Sequence, residues 1–399
     1  MIMLQNKKTK VLIVGGGFGG IKAALMLDKS TLFNVTMLTN DPSFRYYPRL
    51  YHTATGGGSN ESEITLDNLF AKTNIKIIID EAVKLKRYQK IIETKNSHEI
   101  KYDKLILALG VTTNYFGIKG LSQHSYGIKS IEEATELKKH LHESLVKNQK
   151  TDKNYIVIGA GPTGIELSGE LKYYLDDIVK KHKLINQKIN IKLIEAAPRL
   201  LPSLPHETSE AVAKRLLNIG VKLLVNHKVE GESADELIVD GNPIKSHTVI
   251  WTAGVTNSSF FKLNDFKLTD HGKVIVDDYL MAEDNIYVIG DNAATEHSGM
   301  AQTALSNALS VARNLIREDN NKPLEKFKSK RPIYVITVGR RWAAVVWGEV
   351  KINGWLGWIL REMADLVAFH DLEPWWKAAQ QWSYEFNNDN KCDICDHES

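Results

Sequence analysis

Cysteine is almost missing from this chain: only Cys392 and Cys395 occur, at the far end of 399 residues. The stretch from Met1 to Lys391 therefore holds no thiol for an internal disulfide, and the fold asks for no oxidising compartment. It also supplies no thiolate to act as nucleophile or redox relay. Long apolar runs are missing too. No segment approaches the roughly 18–20 consecutive apolar residues that cross a bilayer. The polar, basic start, Met1 to Lys10, lacks the apolar stretch of a signal peptide, so the expected location is the cytoplasm or the cytoplasmic side of a membrane. A strong charge of one sign is absent as well. The formal net charge of +3 is too near balance to argue for nucleic acid, and no such partner is expected. What remains is 43% hydrophobic and 25% charged, an ordinary globular composition with material for two or three domains.

What the chain does have is glycine at the ends of strands. Lys10-Val11-Leu12-Ile13-Val14 reads as a buried parallel strand. It runs into Gly15-Gly16-Gly17-Phe18-Gly19-Gly20, helical spacing follows from Gly20 to Leu27, and Asn34 to Leu38 reads as a second strand. This is a βαβ unit carrying G-x-G-x-x-G at its first turn. Gly15 permits the tight turn, Gly17 lets the backbone approach a pyrophosphate, and Gly20 allows close helix–strand contact. The helix N-terminus adds free N–H groups and partial positive charge. One element departs from the pattern: the second strand ends Leu38-Thr39-Asn40-Asp41, without the usual terminal acid. Thr39 or Asn40 is left to bond a ribose. Ile75–Ile79 and Lys104–Ala108 are further strand candidates.

The pattern recurs. Tyr155-Ile156-Val157-Ile158 is a second buried strand, followed by Gly159-Ala160-Gly161-Pro162-Thr163-Gly164-Ile165-Glu166 and helical periodicity to about Lys181. Ile191–Ile194 is the next strand and ends at Glu195. That acid comes later than the usual spacing of about 20 residues, because the intervening helix is extended. A carboxylate there bonds the 2′-hydroxyl of NAD and repels the 2′-phosphate of NADP, with nearby Arg199 able to soften the distinction. Two nicotinamides cannot usefully pass hydride to an outside acceptor, so the economical pairing is FAD at the first loop and NADH at the second. Asn285–Ile289 is a later strand ending at Gly290-Asp291, and Ala301 to Arg317 has helical spacing. The expected fold is α/β with two Rossmann-like dinucleotide-binding domains, the second inserted in the first. Residues 1–115 and 270–330 form the FAD domain and 116–269 the NADH domain.

Composition shifts from Arg331. Trp342, Trp347, Trp355, Trp358, Trp375, Trp376 and Trp382 all follow it, leaving only Trp251 in the body. From Gly354 to Phe369 apolar residues recur at helical spacing, while Arg361, Glu362 and Asp365 fall elsewhere. Residues 331–399 are therefore expected to form an amphipathic helical membrane-attachment region rich in interfacial aromatics. Core packing or a homodimer contact is the competing use. Cys392-Asp393-Ile394-Cys395 with His397 is a C-x-x-C in a polar tail, where neither metal binding nor redox exchange is expected.

Several of these segments together resemble type II (non-proton-pumping) NADH:quinone oxidoreductases, within the two-dinucleotide-binding-domain flavoproteins. The resemblance spans nearly the whole chain. It rests on the two glycine loops, Tyr47-Pro48-Arg49-Leu50-Tyr51, Ala54-Thr55-Gly56, Leu107-Ala108-Leu109-Gly110, Val249–Val255, Ile286–Asp291 and Ala301-Gln302-Thr303-Ala304. It implies NADH oxidation by bound FAD and reduction of a membrane quinone without proton pumping. For FAD it implies contacts from Gly15, Gly17, Phe18, Gly19, Gly20, Thr39, Asn40, Pro48, Val83, Ala108, Leu109, Gly110, Gly290, Asp291, Ala301, Gln302 and Thr303. Asp291 resembles the acid that bonds the ribityl chain. For NADH it implies Gly159, Gly161, Pro162, Thr163, Gly164, Glu166, Glu195, Ala253 and Gly254. Glu166 resembles the acid placed between nicotinamide and flavin, and it is paired with Gln302 as the catalytic set. Gln302, Leu305 and Ser306 are the quinone positions, with Ser306 standing where the family has a second glutamine.

Dithiol reductases of this fold relay electrons through cysteines beside the flavin, and sulfide:quinone oxidoreductases bind sulfur there. This chain has no cysteine between Met1 and Lys391, so both are disfavoured. Three alternatives stay open on the sequence: a soluble NADH oxidase or diaphorase, an apoptosis-inducing-factor-like redox-controlled interaction protein, and a non-catalytic chain with degenerate nucleotide sites.

Overall fold

The computed structural model describes residues 8–58, 63–146, 154–184, 189–372 and 375–388; Cys392, Cys395 and His397 lie outside the described residues. Two parallel sheets dominate. The larger runs Met281–Glu283, Ile286–Val288, Lys104–Leu107, Thr9–Val14, Phe33–Thr39 and Lys76–Ile79 in spatial order. Only its edge pair, Met281–Glu283 on Ile286–Val288, is antiparallel. The smaller runs Val221–Val225, Asn190–Glu195, Asn154–Ile158 and Thr248–Trp251, parallel throughout. Strands buried on both faces need the continuous apolar runs read from the sequence, and those runs are the cores.

The two sheets are built alike. Val14 pairs with Leu38 at the end of the first strand, and Ile158 pairs with Ile194 at the end of its counterpart. In each, the first loop glycine continues the ladder: the Gly15 amide donates to the Leu38 carbonyl at 2.8 Å and the Gly159 amide to Ile194 at 2.8 Å. The loop helices, Phe18–Asp28 and Pro162–Lys181, then pack back on their sheets. Strand order changes direction at each loop strand, which opens a crevice beyond the strand ends. The two sheets are joined where Val111–Thr113 and Val255–Asn257 pair antiparallel.

The chain beyond Arg331 is woven into both halves. Tyr334–Thr337, Ala343–Trp347 and Val350–Gly354 form an antiparallel sheet; its Ile336 and Ala344, with Val338 just beyond the first strand, join the core under the smaller sheet. The helices Trp355–His370 and Trp375–Asn388 follow, and Phe369, Leu372 and Ala378 join the core of the larger sheet. Arg361, Glu362 and Asp365, which fall outside the apolar spacing of the first of these helices, are buried against the body. Trp355, Leu356, Met363 and Val367 are instead each more than half exposed. The helix turns its charges inward because buried partners await them, and its apolar face outward.

Candidate functional site

Three glycines per loop divide their work the same way twice. A Cβ on Gly15 would lie 2.1 Å from the Ala108 carbonyl oxygen, and one on Gly20 would lie 2.0 Å from the Gly15 oxygen. In the second loop a Cβ on Gly159 would meet Ala253 Cα at 2.6 Å, and one on Gly164 the Gly159 oxygen at 1.9 Å. Gly15 and Gly159 also carry φ of +114° and +101°, where only glycine is unstrained. The middle glycines differ: Gly17 and Gly161 face open space with nothing within 4 Å. They stand at the N-caps of their helices without any side-chain cap, so the first amides of each helix look into that space. Each loop thus closes tightly on its own sheet and leaves a cradle for a diphosphate. The residues present fit a dinucleotide at both places. Pro162 starts the second helix, where a missing N–H costs nothing, and Thr163 follows it.

The strand ends explain the odd ribose position. Thr39 and Glu195 occupy equivalent places, one residue beyond the last register pair. Glu195 accepts from the Ala160 amide at 2.7 Å and the Ala197 amide at 2.8 Å, which fixes its carboxylate against the second loop. Thr39 is buried with its hydroxyl beside Gly16 and accepting from the Asp41 amide at 3.2 Å, while Asn40 is exposed. Arg199 is engaged by the Leu201 and Pro202 carbonyls of its own loop.

Around the first loop, Ala108–Gly110 lies against Gly15, and Gly110 is clasped by Asn292: the Gly110 amide donates to Asn292 Oδ1 at 2.9 Å, and Asn292 Nδ2 donates to the Gly110 carbonyl at 2.6 Å. Leu109 packs partly buried on the adjoining core. Gly290, in a positive-φ conformation, precedes Asp291, whose pKa burial pushes up while Lys129 and Lys273 pull it back. Asn292, Lys129 and Lys273 were not read from the sequence. The neighbouring Gly-Asp-Asn run offered a signal for the first, whereas nothing local marks two lysines far apart in the chain. Val83 is an exposed residue of the strand Ala82–Lys86, and its carbonyl accepts from Asn264 at 3.2 Å. Gly254 has no room for a Cβ because the Phe116 ring sits 2.5 Å from where it would be.

The residues that the sequence suggests for the quinone are arranged less simply. Ala301 begins the helix Ala301–Asp319, and Thr303 donates its hydroxyl proton to the His297 carbonyl at 2.8 Å. Gln302 is occupied: its amide donates to the Ile333 carbonyl at 2.9 Å and accepts from the Ile333 N–H at 3.1 Å. Leu305 is part of the larger sheet's core, Ser306 is half-buried, and Asn307 beside it accepts from the Gly290 amide at 3.0 Å.

Glu166 sits in the first turns of its helix, buried, where desolvation pushes its pKa up to about 7. The Thr337 amide donates to it at 3.4 Å, and Thr337 Oγ1 shares a hydrogen bond with the Tyr51 hydroxyl at 3.0 Å. A small cavity of about 30 Å³ adjoins, lined among others by Arg49, Tyr51, Thr337, Trp358, Arg361 and Asp365. Gln302, Leu305 and Ser306 do not line it. This cluster is not legible in the sequence, although Arg361, Glu362 and Asp365, close together in a largely apolar helix, are its visible sign.

Comparisons with known proteins agree with this geometry. Curated relatives described as Type II NADH:quinone oxidoreductase from Staphylococcus aureus are 29% identical over 349 residues, covering 82% of this chain and 86% of theirs. NDH2 from Plasmodium falciparum, solved in complex with NADH, superposes with a TM-score of 0.85 at 17% identity, covering 96% of this chain and 98% of its own. The sulfide:quinone oxidoreductase of Aquifex aeolicus gives 0.79 at 20% identity, over 94% and 92%. The family described as pyridine nucleotide-disulphide oxidoreductase matches residues 9–308, both glycine loops included. That match covers more than half of the chain: the protein belongs to the pyridine nucleotide-disulphide oxidoreductases.

Proposed function

We propose that this protein oxidises NADH and delivers two electrons to a quinone at a membrane surface, with FAD held at the first glycine loop. The observation that carries this reading is the doubled cradle, tight at the outer glycines and open at Gly17 and Gly161, in a body without thiols. Bound FAD supplies the hydride acceptor and the two-electron outlet. The chain's part is placement. The first helix end and Gly17 hold the FAD diphosphate, Ala108–Gly110 and Asp291 flank its middle, and Gly161, Pro162, Thr163 and Glu195 seat NADH. Glu166, half-protonated near neutrality, holds a proton where one is consumed. Gln302 acts by fixing the segment at Ile333 beside the helix start.

The outward apolar face of Trp355–His370, with Trp375 and Trp376, supports peripheral attachment to a bilayer, since a quinone is dissolved there. Among the described residues no helix is long and apolar enough to cross a membrane. We place the protein on the cytoplasmic side, where NADH is supplied. A homodimer through the same face is the competing use, and sedimentation with and without vesicles separates the two. The chain path through the ribbon Val111–Thr113/Val255–Asn257 supports an NADH domain of 116–269 set within an FAD domain of 1–115 and 270–330, with 331–399 as attachment region.

The test is spectral. Purified protein should be yellow, lose its visible absorbance on adding NADH, and regain it with a soluble quinone analogue. A colourless protein that cannot be reconstituted with FAD refutes the reading.

A further inference from the structure

The charges that the C-terminal helix turns inward converge on one carboxylate. Asp365, only 1% exposed, accepts from the Tyr46 hydroxyl at 2.7 Å, from Arg49 Nε at 3.3 Å and Nη2 at 3.2 Å, and from Arg361 Nη1. Arg361 in turn donates through Nη2 to the Pro48 carbonyl at 3.2 Å. Arg49 also pairs with Glu362 at 3.6 Å, and the Tyr46 ring packs tilted against Phe369 at 4.6 Å between centroids. The loop Tyr46–Arg49, which carries the flavin-flanking Pro48, is therefore gripped from the outer helix at every residue but Tyr47. The grip is electrically balanced: Arg49 and Arg361 stand against Glu362 and Asp365. Four buried ionic groups are costly to assemble where apolar packing would serve, so their presence calls for a role beyond cohesion.

We propose that Asp365 is a positioning residue for electron delivery: it holds Arg361, Arg49 and Tyr46, and through them keeps the Pro48 loop and a neutral charge balance beside Glu166. This rests on the quinone-reductase reading above. Glu166 is faced by Tyr51 from the short helix Leu50–Ala54, by Arg361 and Asp365 from the C-terminal helix, and by the Thr337 amide. Glu170 stands one turn along its own helix, and Arg49, Glu362, His52, Arg340 and Arg341 also line the adjoining cavity. Removing the Asp365 charge leaves the clasp of Arg49, Arg361 and Glu362 with one excess positive charge while the other lining charges stay as they were. That favours ionised Glu166, so its titration moves toward lower pH.

The experiment uses FAD-loaded enzyme and a soluble quinone analogue across the pH range. Wild type should show an inflection near neutrality that Glu166→Gln abolishes. Asp365→Asn should move that inflection down by about one pH unit. Tyr46→Phe, which removes a hydrogen bond and no charge, should leave it in place. Both variants should speed hydrogen exchange at the Arg49 amide, which donates to the Tyr46 carbonyl at 3.1 Å. An unmoved inflection in Asp365→Asn overturns the proposal. So does unchanged Arg49 exchange in Tyr46→Phe, which decides the matter if Asp365→Asn does not fold. An inflection that survives in Glu166→Gln is a failure of the parent reading, and the exchange data then judge the clasp alone.

Discussion

Gly161 and Gly164 lie one helical turn apart in the same loop, and alanine at each should fail in opposite ways. At Gly161 an added Cβ meets nothing within 4 Å, and the backbone at φ −74° suits any residue. The folded protein should lose only the difference in N-cap preference, about 0.5 kcal/mol, or a melting shift of about 1–2 °C. The same methyl, however, stands where the NADH diphosphate must approach the helix amides. Losing one charge-assisted hydrogen bond costs about 1.5–3 kcal/mol, which is a rise in KM for NADH of about 10- to 100-fold. At Gly164 the Cβ would sit 1.9 Å from the Gly159 carbonyl oxygen and 2.6 Å from Thr252 Oγ1. The Gly159 oxygen is backbone at the end of a central strand and cannot swing aside, so about 1–3 kcal/mol of stability should be lost whether or not NADH is present. Thermal melting of the FAD-loaded variants and NADH titration of flavin bleaching read the two effects separately. If Gly161→Ala melts as early as Gly164→Ala while its KM stays at the wild-type value, the open space is not the nucleotide cradle.

Glu195→Gln keeps an acceptor for the Ala160 or Ala197 amide but loses the charge that repels a 2′-phosphate. The ratio of kcat/KM for NADH over NADPH should fall about tenfold, and an unchanged ratio would remove Glu195 from the ribose site. Replacing both Trp355 and Leu356 with glutamate should leave stability within about 1 kcal/mol, since both are exposed. Binding to phospholipid vesicles should drop at least about tenfold for the loss of two buried apolar side chains, and cosedimentation at wild-type levels would count against attachment through this face.

Both sheets and both loops were legible because parallel strands buried on two faces must be apolar throughout, and glycine alone satisfies the turns that follow. Thr9–Val14 and Asn154–Ile158 announce themselves in this way, to within a residue. The small antiparallel sheets, such as Ala82–Lys86 with Ile91–Thr94 and Glu99–Lys101, are short and half-exposed, and their alternation is too brief to stand out. The site divides along the same line. Gly15, Gly20, Gly159 and Gly164 could be assigned one by one, since each role belongs to a local backbone shape. Arg49 and Asp365, 316 positions apart, could not, because their meaning depends on a contact that only the tertiary fold creates. The orientation of the helix Trp355–His370 was hidden for the same reason: periodicity reveals two faces without saying which one meets the body.

Lys22, on the helix that leads away from the first glycine loop, donates at 2.8 Å to both the carbonyl and the carboxylate of Asp371, at the end of the helix Trp355–His370. With Phe369, Leu372 and Ala378 filling the core under the larger sheet, the chain's last helices serve as flooring for the nucleotide half. Trimming them away to obtain an easily handled, lipid-indifferent version would expose that floor and strand Arg49 without its counter-ion. The proposed attachment to lipid is therefore to be tested not by shortening the protein but by changing the residues that look outward.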